Sequence, residues 1–191
     1  MIKLRNRFFL LRHGQATSNL EPRWLASWPE KKKISRLTPK GIRDVKKAAQ
    51  FFKTIGLDFI FSSDMKRSAE TAKIIAKVTK ARLILDKNLR EVNTGVFNGQ
   101  HPDIYRHHFK NKLERFFKRP AKGENLFECQ KRMFNVLKKI NNKYKNKTIL
   151  IAGHGDPLWL LEGAVKNRTA RQMVAMYPYR LRPGEYKELR M

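Results

Sequence analysis

Cysteine is nearly absent: Cys129 stands alone among 191 residues, which excludes an internal disulfide framework and gives no cysteine-based metal cluster. Long apolar runs are missing too. With no apolar span of about 20 residues and no signal segment, the chain is expected to be cytoplasmic, without a membrane partner. Acidic residues are the third scarcity. Sixteen Asp and Glu face 43 Lys and Arg, a net charge of +27, and such a surface attracts phosphorylated ligands, nucleic acid or anionic lipid without choosing between them. The basic residues are spread along the chain, so a lysine-rich solvated surface accounts for them as readily as a polyanion partner. Repeats are absent as well. The length suits one domain, 1–191, with a substantial core, because a domain of about 150 residues already buries about two-thirds of its unfolded surface.

What is present is a set of short apolar runs that end abruptly in polar residues. Phe8-Phe9-Leu10-Leu11 runs into Arg12-His13-Gly14, Leu57-Asp58-Phe59-Ile60-Phe61 into Ser62-Ser63-Asp64-Met65-Lys66-Arg67, and Thr148-Ile149-Leu150-Ile151-Ala152 into Gly153-His154-Gly155. Each reads as a buried strand delivering Arg or His to its carboxyl end. Open α/β sheets bind ligands beyond those ends, so the three junctions are expected to converge on one anion pocket.

Between them lie helical patterns. Thr38-Pro39 is an N-cap followed by a first-turn proline, and Ile42, Val45, Ala49, Phe52 and Ile55 recur at helical spacing up to Gly56. A further helix is expected from Ser63 or Asp64, with Ala72, Ile75 and Ala76 inward and Arg67 in its first turn, where a basic residue opposes the helix dipole unless an anion binds there. Arg82 to Leu85 reads as a short strand, and Tyr105 to Phe117 as a helix over the mouth of the sheet. Leu126, Cys129, Met133, Leu137, Ile140 and Tyr144 form a helical stripe behind a capping box of Asn125 and Glu128. Pro157 to Leu161 starts another helix, and Tyr186 to Leu189 is a last edge strand. Alternating strands and helices imply a three-layer α/β/α sandwich with a mostly parallel central sheet.

Two stretches resist such patterns. Residues 20–37, with Trp24, Trp28, Pro22, Pro29 and Lys31-Lys32-Lys33, read as a long loop beside the site, packed down by its tryptophans. His101, His107 and His108 match no standard zinc spacing and read as surface residues; no metal is expected.

Taken together, Arg12-His13-Gly14 with Asn19, Ser62-Ser63 to Arg67 continuing into Ala69-Glu70-Thr71-Ala72, Leu89-Arg90-Glu91 with Gly95 and Gly99, and Gly153-His154-Gly155 resemble the histidine phosphatase superfamily, the phosphoglycerate-mutase-like enzymes. The match runs in the family's order over nearly the whole chain. The resemblance implies His13 as phosphoryl-accepting nucleophile and Glu91 as general acid and base. It implies Arg12, Arg67 and Asn19 as phosphate ligands and His154 as the partner facing His13. Neither metal nor cofactor is needed, and the substrate would be a small phosphate ester. From the residues alone Glu91 could equally be a partner for Arg90. Ala16 and Asn125 depart from the family pattern, in the phosphate loop and on the substrate side. A hydrolase is favoured over a mutase-type phosphotransferase because the chain is short. The competing class is a basic protein that binds nucleic acid on the same fold; oligomeric state is left open.

Overall fold

The computed structural model describes residues 2–20, 25, 28, 30 and 34–191. Five strands, β1 (Arg7–Arg12), β2 (Phe59–Ser62), β3 (Arg82–Leu85), β4 (Thr148–Gly153) and β5 (Tyr186–Glu188), form one sheet in the order β3-β2-β4-β1-β5. The first four are mutually parallel, and β5 lies antiparallel on β1. The helices are α1 (Thr17–Leu20), α2 (Pro39–Thr54), α3 (Lys66–Thr79), α4 (Pro102–His107), α5 (Leu126–Lys143), α6 (Gly155–Val165) and α7 (Ala170–Met176).

Why the central strands read as unbroken apolar runs follows from the layers. Side chains of a strand alternate faces, and here Phe8, Leu10, Ile149 and Ile151 pack with Cys129, Met133, Leu137 and Leu158 of α5 and α6. Phe9, Leu11, Leu150 and Ala152 pack on the opposite face with Val45, Ala49, Phe52 and Ile75 of α2 and α3. Both faces are dry, so neither has room for a polar residue.

The helix termini follow their chemistry. Thr38 Oγ1 accepts the Gly41 N–H at 3.0 Å at the start of α2, and Gly56 carries the chain away from its end at φ +67°. Asn125 and Glu128 make both bonds of the capping box on α5, at 2.9 and 2.8 Å. Cys129 is fully buried on that helix's inner stripe.

Some boundaries differ from the expected ones: α6 starts at Gly155 rather than Pro157 and β5 ends at Glu188 rather than Leu189, and three other differences have a local cause. Strand β2 begins at Phe59 rather than Leu57, because Asp58 turns its carboxylate to the Thr148 N–H at 2.8 Å and to Lys147 Nζ at 3.0 Å. Helix α3 begins at Lys66, not at Ser63 or Asp64. Ser63 Oγ takes the Met65 N–H at 3.2 Å and Asp64 takes Arg90 Nε at 2.6 Å, while Met65 itself is extended at φ −61° and ψ 136°, so the helical backbone starts only after it. The continuous helix expected from Tyr105 to Phe117 is broken into α4 and a 3₁₀ turn at Glu114–Phe116. Asn111 causes the break: its side chain accepts the Glu114 N–H at 3.0 Å and starts the second turn separately.

For the site, the decisive feature is register. Arg12 of β1 lies opposite Gly153 of β4, so the next residue on each strand, His13 and His154, must emerge side by side.

Candidate active site

His13 and His154 are both buried, with ring centroids 5.3 Å apart and planes inclined by 63°. The His13 N–H donates to Gly153 O at 2.9 Å, continuing the strand pairing into the site. Gly14 then permits the close passage of α2, since a Cβ there would lie 2.8 Å from Gly41 O.

Hydrogen bonding selects one tautomer of His13. Arg67 Nε can only donate, and it approaches His13 Nε2 at 3.1 Å, so Nε2 carries a lone pair. The proton therefore sits on Nδ1, 2.8 Å from Gly14 O, which it can only meet as a donor. Burial and then the cations of Arg67 and Arg12 hold His13 well below the ordinary histidine range, keeping the ring neutral. Burial, Arg67, His13 and Arg12 push His154 the same way. Its Nε2 meets Ser63 Oγ at 2.9 Å.

Arg67, on the first turn of α3, is 2 % exposed. Besides His13 it binds Glu30, Nη1 to Oε1 at 3.2 Å, and the other Glu30 oxygen accepts the Lys66 N–H at 2.8 Å. Arg12 is anchored through Nη1 to Leu181 O at 3.0 Å and lies flat against Gly155, where a Cβ would come within 3.1 Å of the guanidinium carbon. Asn19, at the end of α1, accepts the Ala16 N–H at 2.9 Å. Arg12 Nε and His154 Nδ1 are buried without a hydrogen-bond partner among the described residues, the pattern expected where a polar guest completes the site.

These groups border a cavity of about 260 Å³ lined by Arg12, His13, Asn19, Arg67 and Glu91. Glu91 does not pair with Arg90, which bonds Asp64 instead. Its backbone carbonyl is pinned by Trp28 Nε1 at 2.9 Å and Arg132 Nη2 at 3.0 Å. Burial and then the neighbouring Asp156 raise its pKa, against the pull of Arg67 and Arg12. The cavity lining thus includes both a neutral imidazole with depressed proton affinity and a carboxyl with enhanced proton affinity.

The outer end of the cavity was not foreseen from sequence. Tyr105, Arg106, Arg115, Asp156 and Arg180 line it. Asp156, in the first turn of α6, binds Arg115 at 3.0 Å and lies 3.8 Å from Arg180. Burial opposes the charge on Arg115, yet Asp156 together with Tyr105 and Tyr177 more than offsets it and raises its pKa. The available signals were the acid two residues after His154 and the density of basic and aromatic residues in 101–122. The other residues singled out lie elsewhere. His101 caps α4, its ring nitrogen accepting the Asp103 N–H at 3.3 Å, while His107 is exposed and His108 is half-buried against Phe97 and Phe109. Among the described residues no group of three or more His, Cys, Asp or Glu could hold a metal. Trp28 itself packs beneath Arg90, whose guanidinium carbon lies 5.4 Å from its ring. Trp24, Pro22, Pro29 and Lys31 to Lys33 lie outside the described residues.

A parallel-sheet sandwich with two histidines and two arginines at adjacent strand ends defines a class, and the chain belongs to it: the family model of the histidine phosphatase superfamily, branch 1, matches residues 8–178. Within that class it is similar to the probable phosphoglycerate mutase GpmB of Escherichia fergusonii, 29% identical over 162 residues, covering 82% of this chain and 73% of the relative. Among solved structures it resembles Bacillus stearothermophilus YhfR, with TM-score 0.78 and 27% identity, covering 88% of this chain and 83% of that one. The fold is shared by a mycobacterial glucosyl-3-phosphoglycerate phosphatase at TM-score 0.80 and 19% identity, covering 97% and 90% of the two chains. No helix among the described residues is long and apolar enough to cross a membrane.

Proposed function

We propose that this protein is a metal-independent phosphomonoester hydrolase that acts on a small phosphorylated metabolite through a phosphohistidine. The observation that carries this reading is a pair lining one cavity: His13, neutral with a lone pair on Nε2, and Glu91, with a raised pKa. Environments that push two titratable groups apart assign the nucleophile and the acid.

In the first step His13 Nε2 attacks phosphorus, and the ester P–O bond breaks with its electron pair on the leaving oxygen. Glu91 gives that oxygen its proton. In the second step the Glu91 carboxylate takes a proton from water, the water oxygen bonds to phosphorus, the P–N bond breaks, and orthophosphate leaves. Arg12 and Arg67 grip phosphate oxygens with planar forks, with Asn19 and His154 as further hydrogen-bonding partners. A cavity of about 260 Å³ suits a small ester rather than a folded phosphoprotein segment.

A second reading, a mutase-type phosphotransferase, draws support from the similarity to the probable phosphoglycerate mutase. The same first step serves both. One experiment tests the proposal: a panel of phosphate esters with wild type and His13→Ala, followed by rapid quench with a labelled phosphate ester. Turnover to orthophosphate and an acid-labile, base-stable adduct are expected, both absent in His13→Ala. Label returned to another hydroxyl of the substrate would replace the hydrolase by the mutase. Equal labelling of the variant would remove His13 from the role.

A further inference from the structure

The donors that would receive a phosphoryl group already hold an anion. Arg67 Nη1 and the Lys66 N–H at the start of α3 point the same way, and the Glu30 carboxylate spans them at 3.2 and 2.8 Å. Both side chains are well covered, Arg67 at 2 % and Glu30 at 15 % exposure. A buried guanidinium needs counter-charge; the Glu91 carboxylate favours it from nearby, and Glu30 favours it in direct contact, on a segment that also touches the Glu91 backbone. Two residues earlier, Trp28 donates its indole N–H to Glu91 O at 2.9 Å, and Leu25 exchanges backbone bonds with Gln100 and Gly99 at 2.8 and 3.0 Å.

We propose that Glu30 is an internal competitor for the phosphoryl group, an anion that occupies Arg67 until substrate phosphate displaces it and that thereby sets the pocket's affinity for phosphate. This rests on the reading of Arg67 as a phosphate ligand. The electrostatics favour an exchange over an addition. Nη1, one of the two terminal nitrogens through which a guanidinium forks a phosphate, is the nitrogen on which Glu30 sits. A phosphate dianion and a carboxylate cannot share one cation in a covered site without strong mutual repulsion. Phosphate therefore binds with the fraction of molecules in which Glu30 has let go, and the observed affinity is weakened by that fraction. Because Trp28 lies on the same short segment, release of Glu30 should also be felt at the Glu91 backbone.

The test is a titration of wild type, Glu30→Gln and Glu30→Ala with inorganic phosphate by calorimetry. Alongside it, fluorine NMR follows fluorotryptophan-labelled protein, with the Trp28 signal assigned through Trp28→Phe. Both variants should bind phosphate about tenfold tighter than wild type, and phosphate should move the Trp28 signal of wild type. Unchanged or weaker phosphate binding in both variants would make Glu30 a support for Arg67 and overturn the proposal, as would a Trp28 signal indifferent to saturating phosphate. The two readings fail separately. If no ester is turned over but both variants still tighten phosphate binding, the hydrolase falls and the competitor stands; turnover with unchanged affinity does the reverse.

Discussion

The inner end of the cavity is made of strand ends, whereas its outer end is made of short helices and chain reversals. Inside, His13 and His154 follow directly on β1 and β4, Arg67 lies in the first turn of α3 shortly past β2, and the parallel ladder that sets them is covered by apolar side chains on both faces. Outside, Tyr105, Arg115, Asp156 and Arg180 come from four separate pieces of chain and are tied mainly to one another. The difference separates two tasks. On the proposed reading, rigid elements would hold the groups that meet phosphorus in line, and the connecting pieces would shape what surrounds the rest of the substrate and tune the acid.

If that division holds, the largest losses come from the inner end. Arg67→Ala should lower turnover of a small phosphate ester by roughly 10³-fold, the upper range for removing a preorganised charge-stabilising donor. Wild-type turnover at saturation should change little with salt, because Arg67 is buried and acts at short range, whereas surface lysines are screened beyond about 8 Å at physiological salt. An oligonucleotide bound by the +27 surface would behave oppositely. Its affinity should fall steeply with salt and barely notice Arg67→Ala, which is covered from the surface. Tight oligonucleotide binding at physiological salt without ester turnover would favour the nucleic-acid reading over the enzyme.

Glu91 stands between the two ends, and its loss should be smaller and selective. Glu91→Gln should slow esters with poor leaving groups by about 10²-fold, a usual range for general acid catalysis, and activated aryl esters much less. The pH dependence has a definite sign. His13 must be neutral, and its depressed pKa puts the acid limb below the ordinary histidine range. Glu91 must be protonated, and its raised pKa carries activity to higher pH than an ordinary carboxyl would before it declines. In Glu91→Gln the basic limb should vanish while the acid limb stays. Uniform loss on both ester types, with the basic limb intact, would give Glu91 a structural role.

Asp156→Asn tests whether the outer end acts on the inner one. Removing its charge takes away a repulsion that favours the protonated Glu91, so the basic limb should move to lower pH. Arg115 and Arg180, released from their carboxylate, push in the same direction. The acid limb should hold still. A basic limb that does not move would mean that the outer cluster only packs.

The same division explains what could be read from the residues. A buried strand leaves a plain signature, an apolar run cut off by polar residues, and His13, Arg67 and His154 each sit just past such a cut. Their mutual placement was a matter of register, which the runs themselves do not encode; only the pairing of Arg12 with Gly153 puts the two imidazoles together. Glu91 sits in a loop after β3, and it came from family resemblance rather than from pattern. Arg115 and Asp156 were missed because neither looks special locally. One lies in a run of basic residues and the other in an ordinary helix first turn, and their meaning arises 41 residues apart in a tertiary contact. Glu30 was missed for the same reason, its partner Arg67 lying 37 residues on.

The smallest effect is expected where a departure from the family pattern turns out to be structural. Asn125 stands where a serine is common, next to a substrate-side loop, yet its side chain accepts the Glu128 N–H at 2.9 Å and its N–H donates back to Glu128 at 2.8 Å. That is a helix cap, and serine would serve it about as well. Asn125→Ala should therefore cost about 1 kcal/mol, seen as a melting temperature lower by roughly 2–4 °C for a chain of this size. Turnover and its pH limbs should be unchanged, and Asn125→Ser should restore the melting temperature. If Asn125→Ala instead alters discrimination between esters while melting normally, the residue faces substrate, and the outer end of the cavity extends to the start of α5.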